Sequence, residues 1–325
     1  MLFDLRPKER LKDLYDRRDE YKELSRLVDS GSWVSVLGKR MTGKTSIIKT
    51  FAVERHGVYV NLLDSRGIEG FATKLLAQAG FSLSEIGLDV KFVQTKWSKV
   101  TEDAFSKLRK RIIVLDEIQT VASSPYFLKV LKSSWDTYHD LKVVFSGSYI
   151  GLVRRLLDPD EASPMYGRTP AQIRLEQFSK QIAKSFLSAG FKEHREIRES
   201  EEQIEETVDR LNGYVGWLTY YGNFRCIRRL SHEKALAQTI REGSKIISSE
   251  LNNFLARRHR RLYVKTLRMC INGTRWSELN NELGVNSKVL YDILNTLKSV
   301  DLIEEKTEGY YATDDPIMKE AVKLL

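Results

Sequence analysis

Cysteine is scarce in this chain of 325 residues. The two thiols, Cys226 and Cys270, stand far apart and fall into no metal-ligand or redox spacing, so both read as ordinary core thiols of a reducing compartment, the cytoplasm. Long apolar runs are also missing. None approaches the ~18–20 residues that a bilayer span requires, so no membrane association is expected. The first stretch, MLFDLRPKERLKDLYDRRDE, is charged from the fourth residue onward and lacks the apolar segment of a secretory signal. Internal repeats and low-complexity segments are absent as well.

What is present suits a folded globular protein: 42% of the residues are apolar and 30% charged. The length is generous for a single hydrophobic core, and two domains are expected from it. A formal net charge of +9 is compatible with nucleic-acid contact, and equally with solvated helix faces. The densest basic cluster, RRHRR at 257–261, opens the last segment of the chain.

Along residues 8–29, Leu11, Leu14, Tyr15, Tyr21, Leu24 and Leu27 recur with a period of roughly 3.6, which predicts an amphipathic helix. SWVSVL (32–37) is a short apolar strand that runs into a glycine-rich loop, and TSIIKTFAVER (45–55) continues as a helix that Gly57 stops. VYVNLL (58–63), RIIVLDE (111–117) and LKVVFSGS (141–148) read as further strands, with FLKVLKSSWDTYH (127–139) helical between the last two. Apolar strands separated by helical stretches predict an α/β fold, a parallel sheet with helices on both faces. From about residue 176 the strand signal disappears. The stretches 176–190, 201–212, 217–230 and 232–256 read as helices, and REIRESEEQIEE (195–206) as an exposed, charge-rich connection.

The loop Gly38-Lys39-Arg40-Met41-Thr42-Gly43-Lys44-Thr45 fits G-x-x-x-x-G-K-S/T at every defined position. Its glycines let backbone N–H groups converge on an anion without Cβ interference, and the helix that follows aims its positive end at the same point. Lys44 would reach the β- and γ-phosphates, the Thr45 hydroxyl would ligate Mg²⁺, and Lys39, Arg40, Met41, Thr42 and Ser46 are candidate nucleotide contacts with them. The strand before the loop and the apolar-periodic helix after it are the context this motif requires. About 70 residues further on, Ile112-Ile113-Val114-Leu115 ends in Asp116 and Glu117. Ligands of open parallel sheets bind at the carboxyl ends of the strands. Asp116 would hold Mg²⁺ through water and Glu117 would activate the attacking water, a pairing that favours hydrolysis over group transfer. The third strand ends in Ser146-Gly147-Ser148, which reads either as a polar sensor of the γ-phosphate, with Ser148 as candidate, or as a tight turn. Arg154, Arg155 and Arg168 are candidates for stabilising transition-state charge, in cis or from a neighbouring subunit.

With these pieces in place, the chain resembles an archaeal-type ATPase of the AAA+/STAND group of P-loop NTPases over roughly residues 12–230. The resemblance rests on Leu14-Tyr15-Asp16-Arg17 with Glu20, on Gly38 to Thr45, on Leu115-Asp116-Glu117-Ile118-Gln119, on Ser146-Gly147-Ser148 and on Met165-Tyr166-Gly167-Arg168. It implies that Tyr15, Asp16 and Arg17 lie on the base side of the nucleotide, that ATP or ADP binds with Mg²⁺ between a core and a helical lid, and that Gly213 near the start of a lid helix lies close to it. The lid motif departs from the family pattern: in Asn212-Gly213-Tyr214-Val215-Gly216-Trp217, Gly216 stands where a proline is usual. The domains expected are a P-loop core (1–175), a helical lid (176–256) and a winged helix (257–325).

Within the last block, Tyr263, Leu267 and Met269 suggest one helix, Trp276 to Leu279 start a second, and Leu283-Gly284-Val285 turns into a third. That order is a helix-turn-helix, and DLIEEKTEGYYAT (301–313) reads as a hairpin turning at Gly309. Ser287 and Lys288 would face a DNA major groove, with Arg257, Arg258, Arg260 and Arg261 as further phosphate contacts. The acidic hairpin argues against strong DNA binding, and winged helices also contact proteins. The sequence thus predicts Mg²⁺-dependent ATP hydrolysis coupled to a C-terminal module that contacts double-stranded DNA. A nucleotide switch with a protein partner and slow or no hydrolysis is the alternative. No oligomeric state follows.

Overall fold

The structure is a computed structural model that describes residues 1–81, 94–121, 124–147, 161, 163–194, 197–256 and 258–325. Its chain divides into two compact units, Arg6–Glu176 and, together, Met1–Leu5 with Gln177–Leu325. The first five residues thus group with the C-terminal unit rather than with the sheet that follows them.

In the Arg6–Glu176 unit, a 3-10 turn at Leu11–Asp13 precedes α1 (Arg18–Asp29). The single helix expected over 8–29 is interrupted. Leu14 is extended and Asp16 has φ 47°, a left-handed conformation that helical hydrogen bonding cannot cross. Then come β1 (Val34–Gly38), α2 (Lys44–Glu54), β2 (Val58–Asn61), α3 (Gly67–Ala79), α4 (Gln94–Leu108), β3 (Ile112–Asp116), α5 (Pro125–Thr137), β4 (Lys142–Ser146) and β5 (Ala171–Leu175). The sheet runs β2-β3-β4-β1-β5, with every neighbouring pair parallel. The α/β class expected from the strand pattern is therefore the one observed. β5 was not foreseen: it is an edge strand whose Gln172 and Arg174 are exposed, so it lacks the continuous apolar run that marks the inner strands.

Alternation along each strand sends side chains into two cores. Trp33, Leu37, Val60, Ile113, Leu115 and Phe145 pack with Phe71, Phe105 and Phe127 of α3, α4 and α5. On the opposite face Val34, Val36, Val114, Val144 and Ile173 pack with Leu24 and Val28 of α1 and with Ile47, Ile48 and Phe51 of α2. The register puts Val34 level with Val144, and Val144 level with Val114. Two residues on, Asp116, Ser146 and Val36 share one level and, by the same alternation, the α2 face.

The other unit contains α6 (Lys180–Glu193), α7 (Glu201–Leu211), α8 (Val215–Cys226), α9 (His232–Leu255), α10 (Arg260–Cys270), β6 (Thr274–Arg275), α11 (Trp276–Leu283), α12 (Ser287–Ser299), β7 (Glu304–Thr307), β8 (Tyr310–Ala312) and α13 (Pro316–Lys323). Ser179, Ser200, Ser231, Asn286 and Asp315 cap α6, α7, α9, α12 and α13 by accepting from first-turn N–H groups. The three short strands form an antiparallel sheet in the order β6-β8-β7. α13, which the sequence pattern did not suggest, buries Ile317, Ala321 and Val322 and packs on α7, α9 and α10.

Phe3 is fully buried in this unit, its ring against those of Phe186 and Phe191. Gly190 of α6 and Gly222 of α8 make room for it: a Cβ at either would come within 2.1 or 2.2 Å of the ring. The Leu2 N–H donates to Glu193 at 2.7 Å and the Asn223 amide donates to the Phe3 carbonyl at 3.0 Å. The connection before α7, expected to be exposed, is anchored instead by Glu199. Its side chain is wholly buried and ion-paired with Arg225, because an unpaired carboxylate there would be costly. Cys226 and Cys270 are buried free thiols, and burial pushes both up to about 12. Among the described residues, no helix is long and apolar enough to cross a membrane.

Candidate nucleotide site

β1 ends at Gly38 and the chain turns through Met41 (φ 62°) and Gly43 (φ 96°) into α2. A Cβ on Gly38 would come within 2.6 Å of the Leu175 carbonyl and 2.8 Å of Thr42 Oγ1, so the close approach of β5 admits only glycine. The Thr42 hydroxyl donates to the Lys39 carbonyl at 2.8 Å, closing the loop on itself. Lys44 is buried, and its ammonium donates to the carbonyls of Gly38 and Lys39, each at 2.7 Å. Gly43 supplies no capping side chain, and the first intrahelical bond of α2 runs from Ile47 N–H to Gly43 O at 3.1 Å. The N–H groups ahead of that bond leave the positive end of α2 open to an anion. Thr45 and Ser46 follow Lys44 in this first turn. The Ser46 hydroxyl accepts from Lys8 N–H at 3.2 Å, part of a strap in which Lys8 also accepts from Thr50 at 3.1 Å and Leu11 N–H donates to Glu54 at 3.2 Å.

Asp116 is buried at the carboxyl end of β3. Its Oδ2 accepts from the Tyr59 hydroxyl at 2.9 Å and its Oδ1 from Glu117 N–H at 3.0 Å. Burial and the adjacent Asp116 carboxylate push the Tyr59 phenol well above its ordinary range. Glu117 has φ 57°, a left-handed conformation that costs a non-glycine residue about 1–3 kcal/mol, and the Gln119 amide donates to its carboxylate. Ser146 Oγ, level with Asp116 on the adjoining strand, is buried and has no hydrogen-bond partner among the described residues.

Arg17 is also drawn to the loop, but through its backbone. The guanidinium donates to the Thr42 carbonyl at 3.2 Å, to the Glu176 carbonyl at 2.5 Å and to Glu20 at 2.7 Å. The break in the expected first helix is what turns Arg17 inward: Asp16 is exposed, Tyr15 half-buried and Arg17 buried. Arg168 lies elsewhere. It precedes β5, at the amino edge of a parallel sheet whose carboxyl edge carries the loop, and Asp136 of α5 holds it in two hydrogen bonds of 2.8 and 2.9 Å. Gly213 belongs to the C-terminal unit, where φ 72° and the Phe178 carbonyl, 2.0 Å from any Cβ, account for the glycine. Ser148, Arg154, Arg155 and Arg257 lie outside the described residues. Arg258 stacks 3.8 Å from the Phe254 ring centroid and donates to the Phe254 carbonyl, Arg260 donates to Asn252 at 2.8 Å, and Arg261, Ser287 and Lys288 are exposed. Sequence reading missed Tyr59, Ser46's partner Lys8 and the loop contact of Arg17, none of which has a local signature.

These donors fit a nucleotide with a hard cation. The loop offers an ammonium and a helix start to phosphates, while the available metal donors are oxygens. Among the described residues no group of three or more His, Cys, Asp or Glu side chains could cage a metal. Mg²⁺ suits such a site, because it is ordinarily held by one or two protein oxygens together with phosphates and water.

A family model described as an ATPase domain predominantly from Archaea matches residues 14–220. The chain is similar to the solved Walker-type ATPase of Pyrococcus abyssi, with 27% identity, a TM-score of 0.86 and coverage of 99% of this chain and 100% of that one. Aeropyrum pernix Orc1, solved in complex with DNA, aligns at 14% identity and TM-score 0.52 over 96% of this chain and 93% of its own. A variant of Thermotoga maritima RuvB aligns at 14% identity and TM-score 0.51, over 95% and 96%. The last two likenesses concern the fold alone. No curated protein sequence matches the chain.

Proposed function

The chain belongs to the ATPase-domain family found predominantly in Archaea and is an ATPase; from this premise we propose how its residues divide the work. Lys44 and the N–H groups opening α2 hold the β- and γ-phosphates, the ammonium exchanging the Gly38 and Lys39 carbonyls for phosphate oxygens. Thr45 and Asp116 would hold Mg²⁺, which when bound neutralises charge on the phosphates. Glu117 orients the attacking water and accepts its proton, its carboxylate kept in place by Gln119. The Ser146 hydroxyl is available to the γ-phosphate or that water, the sensing task the sequence offered to Ser148. The observation that carries this reading is the meeting of loop, Asp116 and Glu117 at one edge of the sheet, with Asp116 on the α2 face. Lys44→Ala should abolish nucleotide binding, and Glu117→Gln should bind ATP normally yet stall turnover. Normal hydrolysis by Glu117→Gln would remove that residue from its role.

The same proposal divides the chain into a core (1–175), a helical lid (176–256) and a winged helix (257–325). The order α10, α11, α12 and then the β7–β8 hairpin supports the last assignment. Its partner is better read as a protein than as duplex DNA. Residues 257–325 carry twelve lysines and arginines against ten carboxylates, so this segment holds no concentration of the chain's positive charge. In the hairpin, Lys306 pairs with Glu304 and Asp314, and Lys298 pairs with Glu305 at 2.7 Å. The exposed side of α12 presents Val289 and Tyr291, at 37% and 62% exposure, beside Lys288, the helix's other lysine being the Lys298 paired with Glu305. DNA affinity comes largely from phosphate neutralisation, for which this surface is poorly supplied. Titration with duplex DNA at low and physiological salt decides the matter. Tight binding that falls steeply with salt and is lost in Lys288→Ala would replace the protein reading with the DNA one.

A further inference from the structure

Tyr59 has no place in the division of labour above, yet its hydroxyl lies 2.9 Å from Asp116 Oδ2. The topology explains the reach. β2 and β3 are parallel, Tyr59 is level with Val114, and Asp116 stands two residues further along on the same face. Such a diagonal neighbour is too far for a short side chain and within range of a phenol. Asn61, directly opposite Asp116, accepts from Leu63 N–H through its side-chain oxygen at 2.8 Å, while the hydrogen bond that reaches Asp116 Oδ2 from β2 comes from the Tyr59 hydroxyl. The ring is itself fixed by α2: the Lys49 ammonium lies 5.9 Å from its centroid and pairs with Glu9 at 2.8 Å. α2 is the helix that begins with Lys44 and Thr45, so the phenol is referenced to the same element as the phosphate loop.

A buried carboxylate with two rotatable bonds needs partners to hold one orientation. Asp116 receives one hydrogen bond on each oxygen, and since each oxygen has two lone pairs, one acceptor position per oxygen remains for a cation's water shell. The bond from Glu117 N–H arises within the strand end itself. The bond from Tyr59 is the one that ties the carboxylate to a different strand and, through Lys49, to α2.

We propose that Tyr59 is a positioning residue for Mg²⁺: its hydroxyl fixes the Asp116 carboxylate in the orientation that receives the hydrated cation bound with nucleotide. This rests on the assignment of Asp116 to the metal. Hydrogen-bond partners of metal-binding side chains typically contribute ~10–100-fold in metal affinity. A water-mediated contact places the effect at the lower end, about tenfold. Tyr59→Phe keeps the ring, its packing and the Lys49 contact and removes only the hydroxyl.

The test is the affinity of a non-hydrolysable ATP analogue in EDTA and across a MgCl₂ series, for the wild type, Tyr59→Phe and Asp116→Asn. The expected result is an EDTA affinity within twofold of wild type for Tyr59→Phe, with the Mg²⁺ enhancement of binding cut about tenfold. An unchanged enhancement overturns the proposal. So does a parallel loss with and without Mg²⁺, including loss of the fold, since that identifies Tyr59 as a packing residue. Asp116→Asn separates the two layers of the argument. If it retains the enhancement, the metal assignment itself fails. If it loses the enhancement while Tyr59→Phe keeps it, only the role of Tyr59 falls.

Discussion

Replacing Arg17 with lysine separates two ways in which a cation near a nucleotide can act. In the structure the guanidinium bridges three acceptors that face it from different directions: the Thr42 carbonyl in the phosphate loop, the Glu176 carbonyl beyond β5, and the Glu20 carboxylate. A lysine keeps the charge but has a single compact ammonium and cannot span them. Two charge-assisted bonds to backbone carbonyls are then at risk, each worth about 1.5–3 kcal/mol. The retained ammonium can recover one of them, so Arg17→Lys should destabilise the sheet unit by about 1.5–3 kcal/mol. The loop loses its brace at Thr42, and ATP affinity should fall about tenfold, equivalent to about 1.4 kcal/mol. Because the defect lies in the loop backbone, GTP affinity should fall by the same factor. Urea unfolding followed by circular dichroism, with parallel ATP and GTP titrations, measures all three quantities. A base-reading arginine would behave differently: stability unchanged and the ATP-to-GTP ratio altered. That pattern would refute the brace.

Arg168→Ala should leave kcat for ATP unchanged, since Asp136 holds Arg168 at the sheet edge opposite the loop; a steady-state rate reduced a hundredfold would show that it acts in trans. The same pair has a pH signature. The Arg168 guanidinium holds the Asp136 carboxyl below the usual carboxylate range, so its stabilisation is present above that range and is lost as pH falls through the lowered value. The acid-side stability difference between wild type and Arg168→Ala should accordingly shrink toward zero, as thermal melts across acidic pH would record. Gly222→Val should strongly destabilise the C-terminal unit, because even a Cβ there meets the Phe3 ring at 2.2 Å. A Gly222→Val, Phe3→Ala double variant should recover part of the lost thermal stability.

The nucleotide site was legible wherever chemistry is written into local order. Gly38 to Thr45 and Asp116-Glu117 each carry their meaning within a few residues, and the apolar runs before them fix β1 and β3. What could not be read arises from pairing across the sheet. Tyr59 looks like any aromatic strand residue until the β2–β3 register puts it on the diagonal to Asp116. Arg17 resembles the first residues of a surface helix until the left-handed turn at Asp16 swings it inward. β5 escaped notice because an edge strand with one polar face shows neither a buried-strand run nor enough length for clear alternation. Glu199 reads as a solvated charge, as most glutamates in such runs are, and only the fold supplies Arg225 to bury it against.

The burial of Phe3 bears on the order in which the protein assembles. The partners that hold this segment lie 191 and 220 residues further along the chain, at Glu193 and Asn223. During synthesis at ~5–20 residues per second, Phe3 emerges tens of seconds before the walls of its pocket exist. The parallel sheet that carries the phosphate loop is complete at Leu175, well before α8 has been made. Its nucleotide chemistry can therefore be in place while the helical unit is still waiting for its first aromatic residue. Docking Phe3 closes a loop of about two hundred residues, a contact whose entropic cost grows only slowly with length but which must be met late. In refolding experiments the loop should protect a bound nucleotide before Phe3 becomes shielded, a sequence of events opposite to the order in which the two segments are translated.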